Sequence, residues 1–245
     1  MSAQNNIEHL KDFQVVEFRR YTINEGGRRQ FCTYFETYFP EAFEQLGAIA
    51  IGHFLERNKP NMFLWLRGFH SMDDRARLNA AFYYGPLWKE HRTTLNNLII
   101  DSDNVILMRP LRPITILPAV DPVKEADGAR GVAVAVLFTV KPGAVDAFAQ
   151  QAEANFERFR AAGIREAAVL VTLDVTNNFP QLPVRSDGPY LVWLGIAPDD
   201  KAIEPVVAAH FASDLLRAEP EVIVLDPGKR SRLRWLAEEP DANKH

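Results

Sequence analysis

The sequence has little of several features that identify common classes of protein. It contains one cysteine, Cys32, in 245 residues, so no disulfide can form within the chain. The apolar neighbours of Cys32 predict a buried small residue rather than a nucleophile. No run approaches the roughly 18 uncharged apolar residues of a membrane-spanning helix, and the polar first residues lack the pattern of a targeting peptide. We therefore expect a protein without a membrane span that stays in a reducing cytoplasm.

An excess of positive charge is also missing. The formal net charge is −4, which argues against a nucleic-acid-binding protein, because such proteins must neutralise phosphates. The one basic cluster, Lys229 to Arg234, predicts a strand with a solvated face. The motifs of nucleotide, dinucleotide, zinc-protease and serine-hydrolase sites are absent from the sequence. We accordingly expect no cofactor and no metal.

What the sequence does contain is one order of elements that occurs twice. Strand, helix, strand, strand, helix and strand are predicted over residues 12–112 and again over 131–236, with a proline-rich linker at 113–130. This βαββαβ order is the ferredoxin-like arrangement. Each α+β unit leaves one apolar sheet face uncovered, so two sheets should pack face to face into a closed, barrel-like core. The core could close within one chain or between chains, and we expect a homo-oligomer.

Landmark residues keep the two copies in register. Gly27 recurs 116 residues later as Gly143, whereas Trp65 recurs 128 residues later as Trp193. The second copy therefore carries twelve extra residues, at 177–188.

The first copy carries most of the candidate chemistry, since 17 of the 26 aromatic residues lie in the first 120. Leu64 and Leu66 suit a helix layer, so we expect the opposite parity of these strands to face the barrel interior. The residues of that parity are Glu17, Arg19, Tyr21, Trp65 and Arg67. Such a polar interior walled by rings is typical of a small-molecule pocket, and Arg19, Tyr21, Trp65 and Arg67 are its predicted ligand-binding residues. The alternative is that Glu17 and Arg67 simply pair across adjacent strands.

Two histidines have candidate roles. His91, which follows Trp88 on a predicted helix, is the predicted catalytic acid or base, because histidine titrates near neutrality. His53 is a candidate axial ligand for haem if its strand turns it into the barrel. A non-catalytic alternative is that the aromatic helix over residues 78–92 docks another protein.

Three stretches resemble the NIPSNAP family, a branch of the dimeric α+β barrel superfamily. They read "VVEFRRYTINEGGRRQF", "FLWLRGFHSMDDRARLNAAFYYGPLWKEHR" and "DSDNVILMRPL", and they make Tyr83, Trp88 and Arg92 family-typical positions. The resemblance implies ferredoxin-like units that associate through their sheets, but no settled activity. Relatives by fold include cofactor-free oxygenases, haem-binding enzymes and small isomerases. We therefore expect a small anionic or aromatic ligand in the barrel of the first copy, bound by a cofactor-free oxygenase or isomerase.

Overall fold

The computed structural model describes residues 12–112 and 131–235, and the predicted linker lies outside them. The first half contains β1 (Val15–Ile23), α1 (Arg28–Tyr38), α2 (Pro40–Leu46), β2 (Ile49–Glu56), β3 (Met62–Phe69), α3 (Met72–Tyr83), α4 (Pro86–Asn96), β4 (Ile99–Asp101) and β5 (Val105–Pro110). The second half contains β6 (Val132–Thr139), α5 (Val145–Ala161), β7 (Arg165–Thr172), β8 (Tyr190–Ala197), α6 (Asp200–Val207) and β9 (Glu221–Pro227). The α+β class and the tandem βαββαβ order are confirmed, whereas the domain boundaries stay a prediction.

Residues with special backbone properties divide the helices of the first half. The helix after β1 breaks at Pro40, which lacks the N–H that a helix interior needs, and α2 begins there. It ends at Gly47, whose φ of 96° lies in the left-handed region. Ser71 caps α3 by accepting the N–H of Asp74 at 3.1 Å. Pro86 begins α4, where a missing N–H costs no hydrogen bond.

The strands form one closed antiparallel barrel. Hydrogen-bonded neighbours follow the order β3-β2-β9-β6-β8-β7-β5-β1, and the pairing of β1 with β3 closes the ring. The short β4 pairs with the end of β1 beside β5. The two halves meet where β2 pairs with β9 and where β5 pairs with β7. The barrel therefore closes within one chain and leaves no open edge between the halves.

Apolar side chains from both halves fill the barrel interior. They include Val16, Phe18, Leu64, Leu66, Val192 and Leu194. A cavity of about 10 Å³ lies among them, which is about the space that one water molecule needs. At one end, Arg20 reaches across the interior from β1 to Glu56 on β2 at 2.6 Å and to Glu221 on β9 at 2.8 Å.

The face predicted for the polar residues of the first half is wrong. They do share one face, but it lies beneath α1–α4 rather than in the barrel. The residues concerned are Glu17, Arg19, Tyr21, Trp65 and Arg67. Both faces of this sheet are buried, so alternation groups residues by face without showing which face is which. The aliphatic set fills the interior because two facing sheets must interlock there without unpaired polar groups.

Two smaller predictions are also wrong. The sequence pattern of residues 199–218 predicts one helix, but α6 ends at Val207, and Phe211 packs into the helix-side core of the second half. Residues 229–234 are not a solvated strand but an irregular segment. Arg232 is buried there and pairs with Glu44 on α2 at 2.7 Å.

Candidate functional site

A cavity of about 100 Å³ lies between the outer face of the first half's sheet and helices α1–α4. Phenylalanines of α1, α2 and α3 form much of its wall. The wall also includes Arg19, Tyr21, Trp65, Tyr83, Trp88 and Leu182. Leu182 comes from the second half, so both halves enclose this space.

Beside the cavity, one buried carboxylate holds three arginine side chains. Glu17 accepts a hydrogen bond from Nη2 of Arg67 at 2.6 Å and from Nε of Arg75 at 2.7 Å. Arg19 donates from Nη1 to the same carboxylate and from Nε to the hydroxyl of Tyr21, both at 2.9 Å. The charged side chains are at most 2% exposed. The cross-strand pair of Glu17 and Arg67 is therefore present, but it is part of a larger cluster.

The guanidinium groups control the ionisation of this cluster. Burial alone would raise the pKa of Glu17, but Arg67, Arg19 and Arg75 outweigh burial and hold that pKa well below its usual range. Burial raises the pKa of Tyr21, and the nearby Arg19 offsets only part of this effect. At neutral pH, the cluster therefore carries three positive charges and one negative charge.

Several buried polar atoms around the cluster have no hydrogen-bonding partner in the described part of the chain. They are Nε1 of Trp65, Nη1 of Arg67, Nη2 of Arg75 and both side-chain polar atoms of Asn79. A buried donor or acceptor without a partner costs about 1–3 kcal/mol. Such atoms in a native protein require an explanation, and a bound polar molecule or ordered water supplies one.

Aromatic rings surround the surplus charge. The guanidinium carbon of Arg67 lies 5.0 Å from the ring centroid of Phe43 and 5.2 Å from that of Trp65. The guanidinium carbon of Arg19 lies 5.3 Å from the Trp65 ring. A desolvated cation over a ring gains about 2 kcal/mol, so these rings replace part of the lost hydration.

Most of the predicted binding and family-typical residues meet at this cavity. Its wall includes Arg19, Tyr21, Trp65, Tyr83 and Trp88. Arg67 lies in the ion-pair cluster, whereas Arg92 is exposed on α4. Their roles in binding stay predictions.

His91 is not part of the cavity wall. Its Nδ1 lies 2.6 Å from the hydroxyl of Tyr34, and its ring stacks on Tyr38 with centroids 4.0 Å apart. These contacts belong to the packing of α4 against α1. A catalytic role for His91 stays a prediction.

Sequence reasoning missed two residues on α3. Arg75 and Asn79 are both buried and lie four residues apart, on the same helix face as Leu78 and Phe82. That spacing was the available signal, because a charged and an amide side chain occupy positions that an amphipathic helix gives to apolar residues.

His53 lies beneath α1 rather than in the barrel. Its Nε2 is 2.8 Å from Oε1 of Glu36, and the same oxygen accepts the N–H of Arg230 at 2.9 Å. A haem in the filled barrel would not meet His53, so these residues do not fit that group. Cys32 is buried as predicted, and its sulfur lies within 4.8 Å of the ligand atoms of Glu36 and His53. The hydrogen bonds of Glu36 join α1 to the segment after β9. The packing of these two elements accounts for the position of Cys32, Glu36 and His53.

Burial of the aromatic helix counts against a docking surface. The predicted helix over 78–92 is divided between α3 and α4, and Tyr83 and Trp88 belong to the cavity wall. Tyr84 is the strongly exposed aromatic residue there, at 56%. Among the helices of the described ranges, none is both long and apolar enough to cross a membrane.

Comparison with known families matches residues 16–113 to NIPSNAP. Residues 16–113 are therefore similar to the NIPSNAP family, as their motifs predicted. A NIPSNAP-like domain protein from Burkholderia xenovorans is 26% identical, with 39% of this chain and 84% of that chain covered and a TM-score of 0.36. The comparison with curated proteins found no match.

Solved structures of other proteins are similar over both halves. A provisionally assigned monooxygenase from Lactobacillus acidophilus NCFM is 12% identical, with 92% of this chain and 100% of that chain covered and a TM-score of 0.56. An anthrone oxidase-like protein is 13% identical, with 98% and 99% covered and a TM-score of 0.51. At these identities the likeness shows a shared fold, which is the two-unit α+β barrel, and no activity.

Proposed function

We propose that the first half binds a compact organic anion in the cavity between its sheet and its helices. One observation carries this proposal. Within residues 12–112 and 131–235, Glu17 is the one carboxylate that pairs with the buried guanidiniums of Arg19, Arg67 and Arg75. Three positive charges against one negative leave two positive charges in surplus.

A second anion would relieve this surplus. Removing a charge from water costs several kcal/mol per ion unless an opposite charge and hydrogen bonds compensate it. Nη1 of Arg67 and Nη2 of Arg75 are buried donors without partners in the described chain, so the cluster has donors to offer. Arg19 is its member in the cavity wall, where a ligand oxygen would meet it first.

The dimensions of the cavity restrict the ligand. Its volume of about 100 Å³ is well below the roughly 300–1,000 Å³ of drug-sized pockets and nearer the 150 Å³ that holds one benzene ring. Tyr21, Trp65 and Tyr83 offer flat apolar surfaces. These features support a carboxylate, enolate or phenolate with at most one ring.

The catalytic form of the proposal is a cofactor-free oxygenase or isomerase that acts on an enolate. Arg19 would stabilise the enolate oxygen, and Tyr21, whose pKa burial raises, would remain a proton donor at neutral pH. His91 would have to turn from Tyr34 toward the cavity to act as acid or base. The monooxygenase and anthrone oxidase-like neighbours support this reaction class by analogy of fold alone.

We also propose the cytoplasm as the protein's location, on the basis of its single cysteine. We also propose that the protein forms a homo-oligomer, although the barrel itself closes within one chain. Cell fractionation tests the location. Gel filtration tests the oligomer, and a mass of one 27.7 kDa chain would contradict it.

Calorimetric titration with acetate, benzoate and the matching neutral amides tests the binding proposal. We expect the acids to bind at least about tenfold more tightly than the amides, because only the acids pair with the surplus charge. Arg19→Met should remove this preference. Arg77→Met is the matched control, since Arg77 is exposed on α3 and pairs with Asp74. Equal binding of acids and amides by the unmodified protein would contradict the proposal.

A further inference from the structure

We propose that the connection between β7 and β8, residues 173–189, forms part of the binding site of the first half. In this proposal, Asn177 and Asn178 are positioning residues for Arg75, and Leu182 limits the size of the ligand. The inference rests on the proposed function, because it concerns the same anion site. It assigns to the second half a role in binding that the fold alone does not require.

The length of this connection distinguishes the two halves. The matching connection of the first half, between β2 and β3, covers residues 57–61, whereas this one covers 173–189. The difference matches the twelve extra residues seen in the sequence. Loops of this length without secondary structure are uncommon in compact domains and are often functional.

The extra residues lie along α3 of the first half. Nδ2 of Asn178 donates to the carbonyl of Met72 at 2.6 Å, at the start of α3. At the other end of α3, Gln181 donates to the hydroxyl of Tyr84 at 2.9 Å. The ring of Phe179 lies 6.2 Å from the rings of both Tyr83 and Tyr84. The connection is thereby held against the helix that carries Arg75.

The amide oxygens of this connection orient Arg75 without neutralising it. Nη1 of Arg75 donates to Oδ1 of Asn177 at 2.9 Å and to Oδ1 of Asn178 at 3.0 Å. Nε donates to Glu17 at 2.7 Å. Nη2 is left without a partner in the described ranges. Carboxylates in place of the two amides would cancel the surplus charge, whereas asparagines hold the guanidinium in position and preserve its charge for a ligand.

The same connection closes the cavity. Leu182 lines the cavity, and its carbonyl accepts a hydrogen bond from Nδ2 of Asn177 at 2.9 Å. Asn177, which orients Arg75, is therefore hydrogen-bonded to Leu182, which limits the size of the cavity. A carboxylate with a small apolar body is the ligand class that meets both conditions.

Titration of Asn177→Asp and Asn178→Asp with benzoate and benzamide tests the inference. Each change keeps the side-chain size and adds a negative charge at Arg75, so benzoate affinity should fall about tenfold or more while benzamide binding is unchanged. A purely structural role would lower both affinities together. The control is Gln150→Glu, which adds the same charge at an exposed position on α5, outside this connection, and its benzoate affinity should stay within about twofold.

A second variant tests the wall independently of charge. Leu182→Ala should improve the binding of 4-methylbenzoate relative to benzoate, because it enlarges the cavity. The inference would be overturned if Asn178→Asp and Gln150→Glu changed benzoate affinity equally and Leu182→Ala did not change the size preference. If Arg19→Met still abolished benzoate binding in that case, the proposed function itself would stand. Failure of the unmodified protein to bind benzoate would overturn the proposed function as well.

Discussion

The two halves build the same pair of central strands but place opposite chemistry on the face beneath their helices. In the first half, Glu17 lies in register opposite Arg67. Val134 and Gly195 lie opposite each other at the matching register of the second half. A side chain cannot replace the hydrogen of Gly195 without movement, because a Cβ there would lie 2.5 Å from a ring carbon of Trp193. The second half fills this space with apolar groups, where the first half has an ion cluster and a cavity.

The two halves also differ in the surroundings of their matching tryptophans, Trp65 and Trp193. Trp65 lies opposite Arg19, and Trp193 lies opposite Val136. Nε1 of Trp193 donates to Glu166 at 2.9 Å, whereas Nε1 of Trp65 has no partner among the described residues. The second half shows that this sheet and helix layer form without charges at these positions. The fold alone therefore does not require the charges of the first half, which supports the proposal of a ligand there.

Removal of the central carboxylate should have the largest effect. Glu17→Gln leaves three buried guanidiniums without a counter-charge, and we expect the free energy of unfolding to fall by about 3–5 kcal/mol in urea denaturation. Glu166→Gln is the matched variant of the second half. Its arginine partners are 39% and 35% exposed, so water can solvate them and the loss should be much smaller. Equal losses would remove the contrast between the halves.

The two tryptophans should differ when each loses its N–H donor. Trp65→Phe and Trp193→Phe remove similar ring volume, but only the second leaves Glu166 without its indole donor. We expect Trp193→Phe to be more destabilising by about 1–3 kcal/mol, as measured by the midpoint and slope of urea unfolding. A larger loss of unfolding free energy for Trp65→Phe than for Trp193→Phe would show that the indole N–H of Trp65 has a structural partner.

Removal of one surplus arginine should cost little stability. Arg67→Met keeps the length of the side chain and leaves Glu17 paired with Arg19 and Arg75. We expect the free energy of unfolding to change by less than about 1 kcal/mol, or to rise, because the net positive charge falls. Benzoate affinity should decrease in the same variant. A stability loss as large as that of Glu17→Gln would mean that the charge of Arg67 is needed in the cluster and that no positive charge is in surplus.

The smallest effect concerns the ion pairs that join the halves at the end of the barrel. Burial would raise the pKa of Glu221, but hydrogen bonds from Arg20 and Lys59 lower it to about 2, from an ordinary value of 4.5. The stability that Glu221 contributes is therefore present above pH 4.5 and is lost as the pH falls toward 2. Unfolding measured from pH 6 to pH 2 should show a shallower decline for Glu221→Gln than for the unmodified protein. Parallel curves would contradict the assignment.

Much of the fold could be predicted from the sequence, because periodicity and landmark glycines are local signals. The break at Pro40 and the end of α2 at Gly47 follow from residue chemistry alone. The face of Trp65 could not be predicted in the same way, since both faces of its sheet are buried. Closure of the barrel within one chain depends on strand pairings between the halves, which no local pattern records.

The candidate site was predicted in part. Alternation correctly grouped Arg19, Tyr21 and Trp65, which line one cavity. Arg75 was missed because it reaches the cluster from a helix, and the contribution of Leu182 was visible only as extra length in the second copy. Such contributions depend on how distant segments pack, and packing is decided by the whole fold.

Native mass spectrometry of protein purified from its own host tests the central claim most directly. If the surplus charge exists to bind a compact organic anion, the unmodified protein should carry a small acidic adduct that Arg19→Met lacks and Arg77→Met retains. The mass of the adduct would then identify the ligand class. An adduct-free protein, together with equal binding of benzoate and benzamide, would contradict the claim and leave the cluster as a structural ion network.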